Sequence, residues 1–167
     1  SSPIIMFAAG SGIAPFRGFL ETAIDQSLKN KFYLFLTVKN CDAIWYKREI
    51  EYWLNHIDLS FFMTSTGEDV IYVVQEENGL KKLVPKNIER KRVDSLMQQP
   101  PIKKLLSGLL TLHGAAADEG HFFLCGQAGF ADTVQHTLVT IFDDEKEKPN
   151  LIAKLAGKNR YHASVFT

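Results

Sequence analysis

Two short clusters in this chain combine residue types suited to chemistry. The first is Gly10-Ser11-Gly12 with Pro15 three positions on. Glycines let a backbone approach an anion closely. The first turn of a helix offers N–H groups and the positive end of its dipole to that anion. Proline is suited to that turn, where its missing donor is not needed. Together these residues describe a seat for a diphosphate. The second cluster is Cys125-Gly126, a thiol beside a residue without a side chain. At the carboxyl end of a parallel strand, where ligands of open α/β sheets bind, Gly126 lets a flat ring pass close to the backbone. Cys125 also reads as a buried strand-end thiol, since cysteine is among the most buried residue types.

These clusters need strands and helices to position them. Residues 3–8 are apolar and read as a first strand, with a helix over about 15–28. Phe32 to Val38 is a nearly unbroken apolar run, as expected of a parallel strand covered on both faces. A second helix is expected near Trp45 to Asn55, with Trp45, Glu49 and Trp53 at four-residue spacing. Leu59–Met63 and His121–Cys125 read as further strands, and Ala131–Phe142 as an apolar-periodic helix. Strands alternating with helices imply a parallel α/β sheet. Two stretches interrupt the alternation. Val70–Val74 and Leu80–Val84 flank Asn78-Gly79, a hairpin signal, so a hairpin insertion is expected near residues 70–85, followed by Pro85. Asp143–Pro149 reads as a charged, solvated connector.

The chain has 167 residues, 46% hydrophobic and 23% charged, with a formal net charge of zero. That size suits one compact domain with a real core. Neutral charge gives no general attraction to nucleic acid or anionic lipid, and no apolar run approaches the ~20 residues of a membrane helix. Ser1-Ser2-Pro3 leads straight into a strand with no signal peptide in view. The two cysteines, Cys41 and Cys125, make no disulfide framework and fit a reducing, cytoplasmic setting. No Cys/His cluster has zinc spacing. The five histidines are scattered and read as structural or surface residues.

Gly10-Ser11-Gly12-Ile13-Ala14-Pro15-Phe16-Arg17 resembles the G-x-G-x-A-P-F-R segment of the ferredoxin–NADP reductase superfamily, and Arg17-Gly18-Phe19-Leu20 leans toward its diflavin branch. Phe123 to Ala128 resembles that family's Y-x-C-G segment, with Gln127 where an acidic residue is usual. Arg160-Tyr161 and Val165-Phe166 resemble its R-Y-x-x-D-V-W ending, with Ser164 at the acidic position. Lys39 to Glu49 resembles R-x-x-x-D-x-L-Y-x-x-E, with Lys39 in place of arginine.

The resemblance implies a Rossmann-like three-layer α/β/α sandwich of about five parallel strands. It implies that Gly10, Ser11, Gly12 and Pro15 hold the coenzyme pyrophosphate, with Arg17 assisting and Lys39 reaching a phosphate. It places Cys125 and Gly126 beside the nicotinamide and Phe166 over a flavin ring. It further implies NAD(P)H as hydride donor and FAD held mainly by a flavin-binding domain of the same full-length polypeptide, which this chain lacks. Electrons would pass to a haem, FMN or iron–sulfur acceptor. No nucleic-acid or membrane contact is expected of this domain, although a membrane anchor elsewhere is compatible with it. Coenzyme choice stays open between NADP and NAD. Thr64-Ser65-Thr66 offers hydroxyls without the arginine usual there; Glu68 and Asp69 would repel a phosphate if turned inward; Arg90 or Arg92 could supply charge. Lys81, Lys82, Lys86, Arg90, Lys91 and Arg92 equally read as a solvated basic face, and Tyr72–Gln75 also resembles the family's Y-V-Q. A non-catalytic nucleotide-binding regulatory module and a flavodoxin-like FMN binder are the alternatives. The FMN reading leaves Cys125-Gly126 and the terminal aromatic unexplained.

Overall fold

The computed structural model describes residues 1–41 and 46–166. Five parallel strands form its central sheet: β1 (Ile4–Ala9), β2 (Phe32–Val38), β3 (Leu59–Ser65), β6 (His121–Gln127) and β7 (Tyr161–Phe166). Their spatial order is β3-β2-β1-β6-β7. From β1 the chain first builds outward through β2 and β3, then returns to add β6 and β7 on the other side. The topological switch therefore lies between β1 and β6. Strand runs buried on both faces explain the unbroken apolar stretches, clearest in β2, where six of seven residues are buried.

Helices α1 (Ala14–Asp25) and α2 (Lys47–His56) cover one face. Helices α3 (Val93–Met97), α4 (Pro100–Leu109), α5 (Ala128–Ile141) and α6 (Leu151–Gly157) cover the other. On that second face Phe7, Phe35 and Phe62 stand side by side across β1, β2 and β3, each neighbouring pair stacked at 4.8 Å. Trp53 of α2 is fully buried beneath the first face, whereas Trp45, the start of the expected second helix, lies outside the described residues.

The hairpin is β4 (Val70–Glu77) with β5 (Leu80–Asn87), joined by Asn78 and Gly79, both at positive φ. That geometry is the two-residue turn favoured by the natural strand twist. The strands run longer than expected, and Pro85 lies inside β5 opposite Tyr72. The next residues toward the turn on that edge bond away from β4: Lys81 exchanges two hydrogen bonds with the Asn55 side chain, and the Leu83 N–H donates to Glu51. Pro85 falls in the same alternating set as Lys81 and Leu83, so its missing N–H removes no rung of the ladder. Helix α1 ends at Asp25, three residues early, where Ser27 turns into the left-handed region at φ 53°.

Arg160 is buried to 2% exposure ahead of β7. His121 at the start of β6 is half-buried, and burial, reinforced by Arg160 and His162, pulls its pKa below the ordinary histidine range. The depressed group favours the folded state while neutral, so stability present above the ordinary pKa is lost as pH falls through it. We therefore expect the thermal midpoint to fall between pH 7 and pH 5, and His121→Gln to flatten that decline. Parallel pH curves for the two proteins would assign the decline elsewhere.

Candidate functional site at the switch between β1 and β6

Strand β1 ends at Ala9 and passes directly into a 3-10 turn, Gly10–Ile13, which runs on into α1. Gly10 has φ +55°, a conformation costly for residues with a Cβ, and open space around it. Ser11 is exposed, and Pro15 occupies the first turn of α1. Phe16 and Leu20 are buried and fasten the helix to the sheet, so the turn is held rigidly above the strand ends.

Gly12 joins the two sequence clusters. A Cβ at Gly12 would lie 2.1 Å from the Cys125 carbonyl oxygen. Ala8 and Cys125 are also partners in the β1–β6 ladder. The phosphate-type turn and the Cys-Gly pair, more than a hundred residues apart, thus form one surface. Packing gives a second reason for glycine at position 126. The space beside its Cα is already filled: a Cβ there would stand 2.7 Å from the Phe130 ring and 3.1 Å from Ala9. Packing demands the absent side chain.

Cys125 is 4% exposed. Burial raises its thiol pKa, and a hydrogen bond with the Ser164 side chain opposes that rise. Ser164 is its direct partner across β6 and β7, and Phe166 pairs with Gln127 in the last rung at the sheet's carboxyl edge. Phe166 remains 37% exposed.

A cleft of 460 Å³ opens beside this surface, lined by Ala9, Thr37, Thr66, Arg92, Gly129, Phe130 and Thr133 among others. Its volume lies within the usual range of small-molecule sites. Thr37, Gly129 and Thr133 are not legible as site residues in the sequence. Their signal is positional only: Thr37 is next to last in β2, and the other two follow Cys125-Gly126 at the start of α5.

The remaining expected residues separate into groups. Arg92 lines the cleft, with one guanidinium nitrogen 3.3 Å from the Thr133 hydroxyl and another 3.6 Å from Asp94. Arg90 is held by Asp69, through an ion pair of 3.3 Å and a main-chain hydrogen bond of 3.0 Å. Thr64 and Ser65 are buried, with hydroxyls engaged to Thr37 and to the Lys39 carbonyl. Lys39 is exposed, and its carbonyl also accepts the Gly67 N–H. Arg17 lies on the outer surface of α1, paired with Glu21 at 3.1 Å and over the Tyr46 ring. The Glu68 carboxylate accepts the Cys41 N–H. Asp69 is thus paired with a cation, whereas the partner of Glu68 is a neutral amide. The Tyr72 ring lies beneath Lys47 of α2.

A doubly wound sheet with a glycine turn, a buried thiol and a cleft at its switch point defines a dinucleotide-binding domain. Residues 6–136 match the oxidoreductase NAD-binding domain family, and the chain belongs to that family. It is 29% identical over 180 residues to a nitric oxide synthase of Bombyx mori, covering 99% of this chain and 13% of the relative. It is 28% identical over 169 residues to the chloroplastic root isozyme 2 of ferredoxin–NADP reductase from Arabidopsis thaliana, covering 97% of this chain and 39% of the relative. The chain thus spans well under half the length of these relatives. Among solved structures, flavohemoglobin from Malassezia yamatoensis with bound FAD and heme superposes with a TM-score of 0.61 at 14% identity, over 100% of this chain and 32% of that one. That likeness concerns the fold. Among the described residues, no helix is long and apolar enough to cross a membrane.

The two glycines of the turn predict different losses. Gly12→Ala forces a main-chain clash and is expected to cost roughly 1–3 kcal/mol and to abolish dinucleotide binding. Gly10→Ala meets no atom but keeps the left-handed strain, at about 1–2 kcal/mol. Denaturant unfolding with coenzyme titration checks both; a Gly12→Ala protein of wild-type stability would contradict the packing described.

Proposed function

We propose that this chain is the NAD(P)H-binding part of a flavin-dependent reductase, positioning the nicotinamide for hydride transfer to FAD held by a neighbouring domain. The observation that carries the reading is the contact of Gly12 with the Cys125 carbonyl, which puts a diphosphate seat and a thiol on one rigid surface. Bound NAD(P)H supplies the hydride. The chain's residues bind and orient. Gly10, Ser11 and Gly12 cradle the pyrophosphate with main-chain N–H groups, and Pro15 fixes the first helical turn behind them. The adjoining cleft takes the adenosine side, with Thr66 and Arg92 at its wall. Cys125 and Gly126 face the nicotinamide, and Phe166 covers the place where the flavin ring meets it.

Ser164, the partner of Cys125 across β6 and β7, sets its hydroxyl beside the thiol. A serine does this without the charge of a carboxylate, so it orients the thiol and does not serve as a proton store at neutral pH. The exposed Phe166 and Phe19, with Phe123 on the same side of the sheet, give a neighbouring flavin-binding domain an apolar surface to meet. The electron acceptor beyond the flavin is a haem, an FMN or an iron–sulfur protein or domain.

The direct test joins this chain to the flavin-binding domain of the full-length polypeptide and mixes it anaerobically with NADPH or NADH. Bleaching of the flavin absorbance is expected. Its absence with both coenzymes would favour a nucleotide-binding module without turnover. Coenzyme selection is tested by titration. Arg92 lines the cleft and Arg90 is bound to Asp69, so Arg92→Ala is expected to weaken NADP more than NAD, while Arg90→Ala changes both little. Equal weakening of both coenzymes by Arg92→Ala would remove it from the ribose site.

A further inference from the structure

Arg160 is a buried cation that coenzyme binding does not use. Its guanidinium makes four hydrogen bonds: Nε to the Gly120 carbonyl at 2.9 Å, Nη1 to the Thr111 carbonyl at 2.7 Å and to Glu119 Oε2 at 3.1 Å, and Nη2 to the Leu109 carbonyl at 3.2 Å. These acceptors belong to the end of α4, the turn after it and the segment leading into β6. The Leu109 carbonyl also accepts the Gly120 N–H, so the acceptor set is tied together before Arg160 reaches it. The main chain of Arg160 closes the frame, with its N–H on the Leu155 carbonyl and its own carbonyl accepting from Phe122, each at 2.8 Å.

Strand β7 needs such a fastening. It is an edge strand, and every residue from His162 to Phe166 is exposed. Only Tyr161 is half-buried, with its hydroxyl at 2.6 Å from the Gln135 amide. Hydrophobic burial ordinarily fixes register, because a one-residue slip turns each side chain to the opposite face. Along β7 that term is reduced to its first two residues, Tyr161 against the core and the His162 ring stacked on Phe123 at 4.9 Å.

We propose that Arg160 is the positioning residue that sets the register of β7 against β6, and so places Ser164 opposite Cys125 and Phe166 opposite Gln127. The proposal rests on the reading that these two pairs form the nicotinamide end of the site. A slip of one residue carries the guanidinium about 3.3 Å along the strand and away from all four acceptors. The cost of leaving a buried cation unpaired excludes the slipped pairing. Register is thereby read out at the far end of the strand by a group that touches no ligand.

The test is nuclear magnetic resonance on the 167-residue chain without coenzyme, so its outcome is independent of coenzyme binding. In Arg160→Lys, exchange of the Ser164 and Phe166 amides, the β7 N–H groups that face β6, is expected to accelerate about tenfold or more, the equivalent of one charged hydrogen bond. Cross-strand contacts between Cys125 and Ser164 are lost, while β1 and β2 keep wild-type protection. Glu119→Gln keeps the three carbonyl acceptors and is expected to give a smaller acceleration confined to the same residues; it decides the matter should Arg160→Lys not fold. Wild-type protection and contacts in β7 would overturn the proposal. So would a uniform loss of protection over all five strands, which marks a general stabiliser.

Discussion

The Cα of Gly12 lies against the main-chain carbonyl of Cys125, and no side chain fits between them. Much of the site follows from that contact. It sets the height of the Gly10–Ile13 turn above the sheet, and with it the direction of the first N–H groups of α1. It also ties the turn to the strand carrying the thiol. Because the two segments come from opposite sides of the topological switch, the contact spans the crevice in which open α/β sheets bind ligands. Neighbouring features reinforce it: buried Phe16 and Leu20 hold α1 down, and Phe130 fills the space beside Gly126.

Around this fixed point the charged residues are largely spoken for. Glu68 and Asp69 are turned to the Cys41 N–H and to Arg90, so the loop after β3 is knitted to the loop after β2 and to the segment before α3. Thr66 and Gly67 donate to the carbonyls of Val38 and Lys39 and complete that wall. Arg92 is the expected cation that faces the cleft, through longer contacts of 3.3 and 3.6 Å to Thr133 and Asp94. A guanidinium so held costs little to redirect toward a ligand, unlike Arg160, which is buried in four hydrogen bonds.

Much of this is legible in the chain itself, for identifiable reasons. Strands β1, β2, β3 and β6 are covered on both faces and so appear as apolar runs, and the Asn78-Gly79 turn announces its hairpin. The glycine pair and the Cys-Gly pair are local signals that need no tertiary knowledge to find. Helices α3 and α4 are not legible: one is five residues long, and the other begins at Pro100-Pro101, whose role at a helix start becomes plain only once Ile102, Leu106 and Leu109 are seen buried together. The hydroxyls of Thr64 and Ser65 point into the wall because the end of β3 is covered on both sides, breaking its earlier alternation. Arg90 and Arg92 look equivalent in sequence, and what separates them, Asp69, lies some twenty residues away. The packing reason for glycine at position 126 is likewise tertiary.

Where a dinucleotide's diphosphate sits decides the matter. A crystal structure of the chain with NADP or NAD bound measures that directly. The expected result is a diphosphate on the main-chain N–H groups of Gly10, Ser11 and Gly12, with the nicotinamide beside Cys125. A well-ordered dinucleotide lying away from that turn, or with its nicotinamide on the opposite side of the sheet from Cys125, would contradict it.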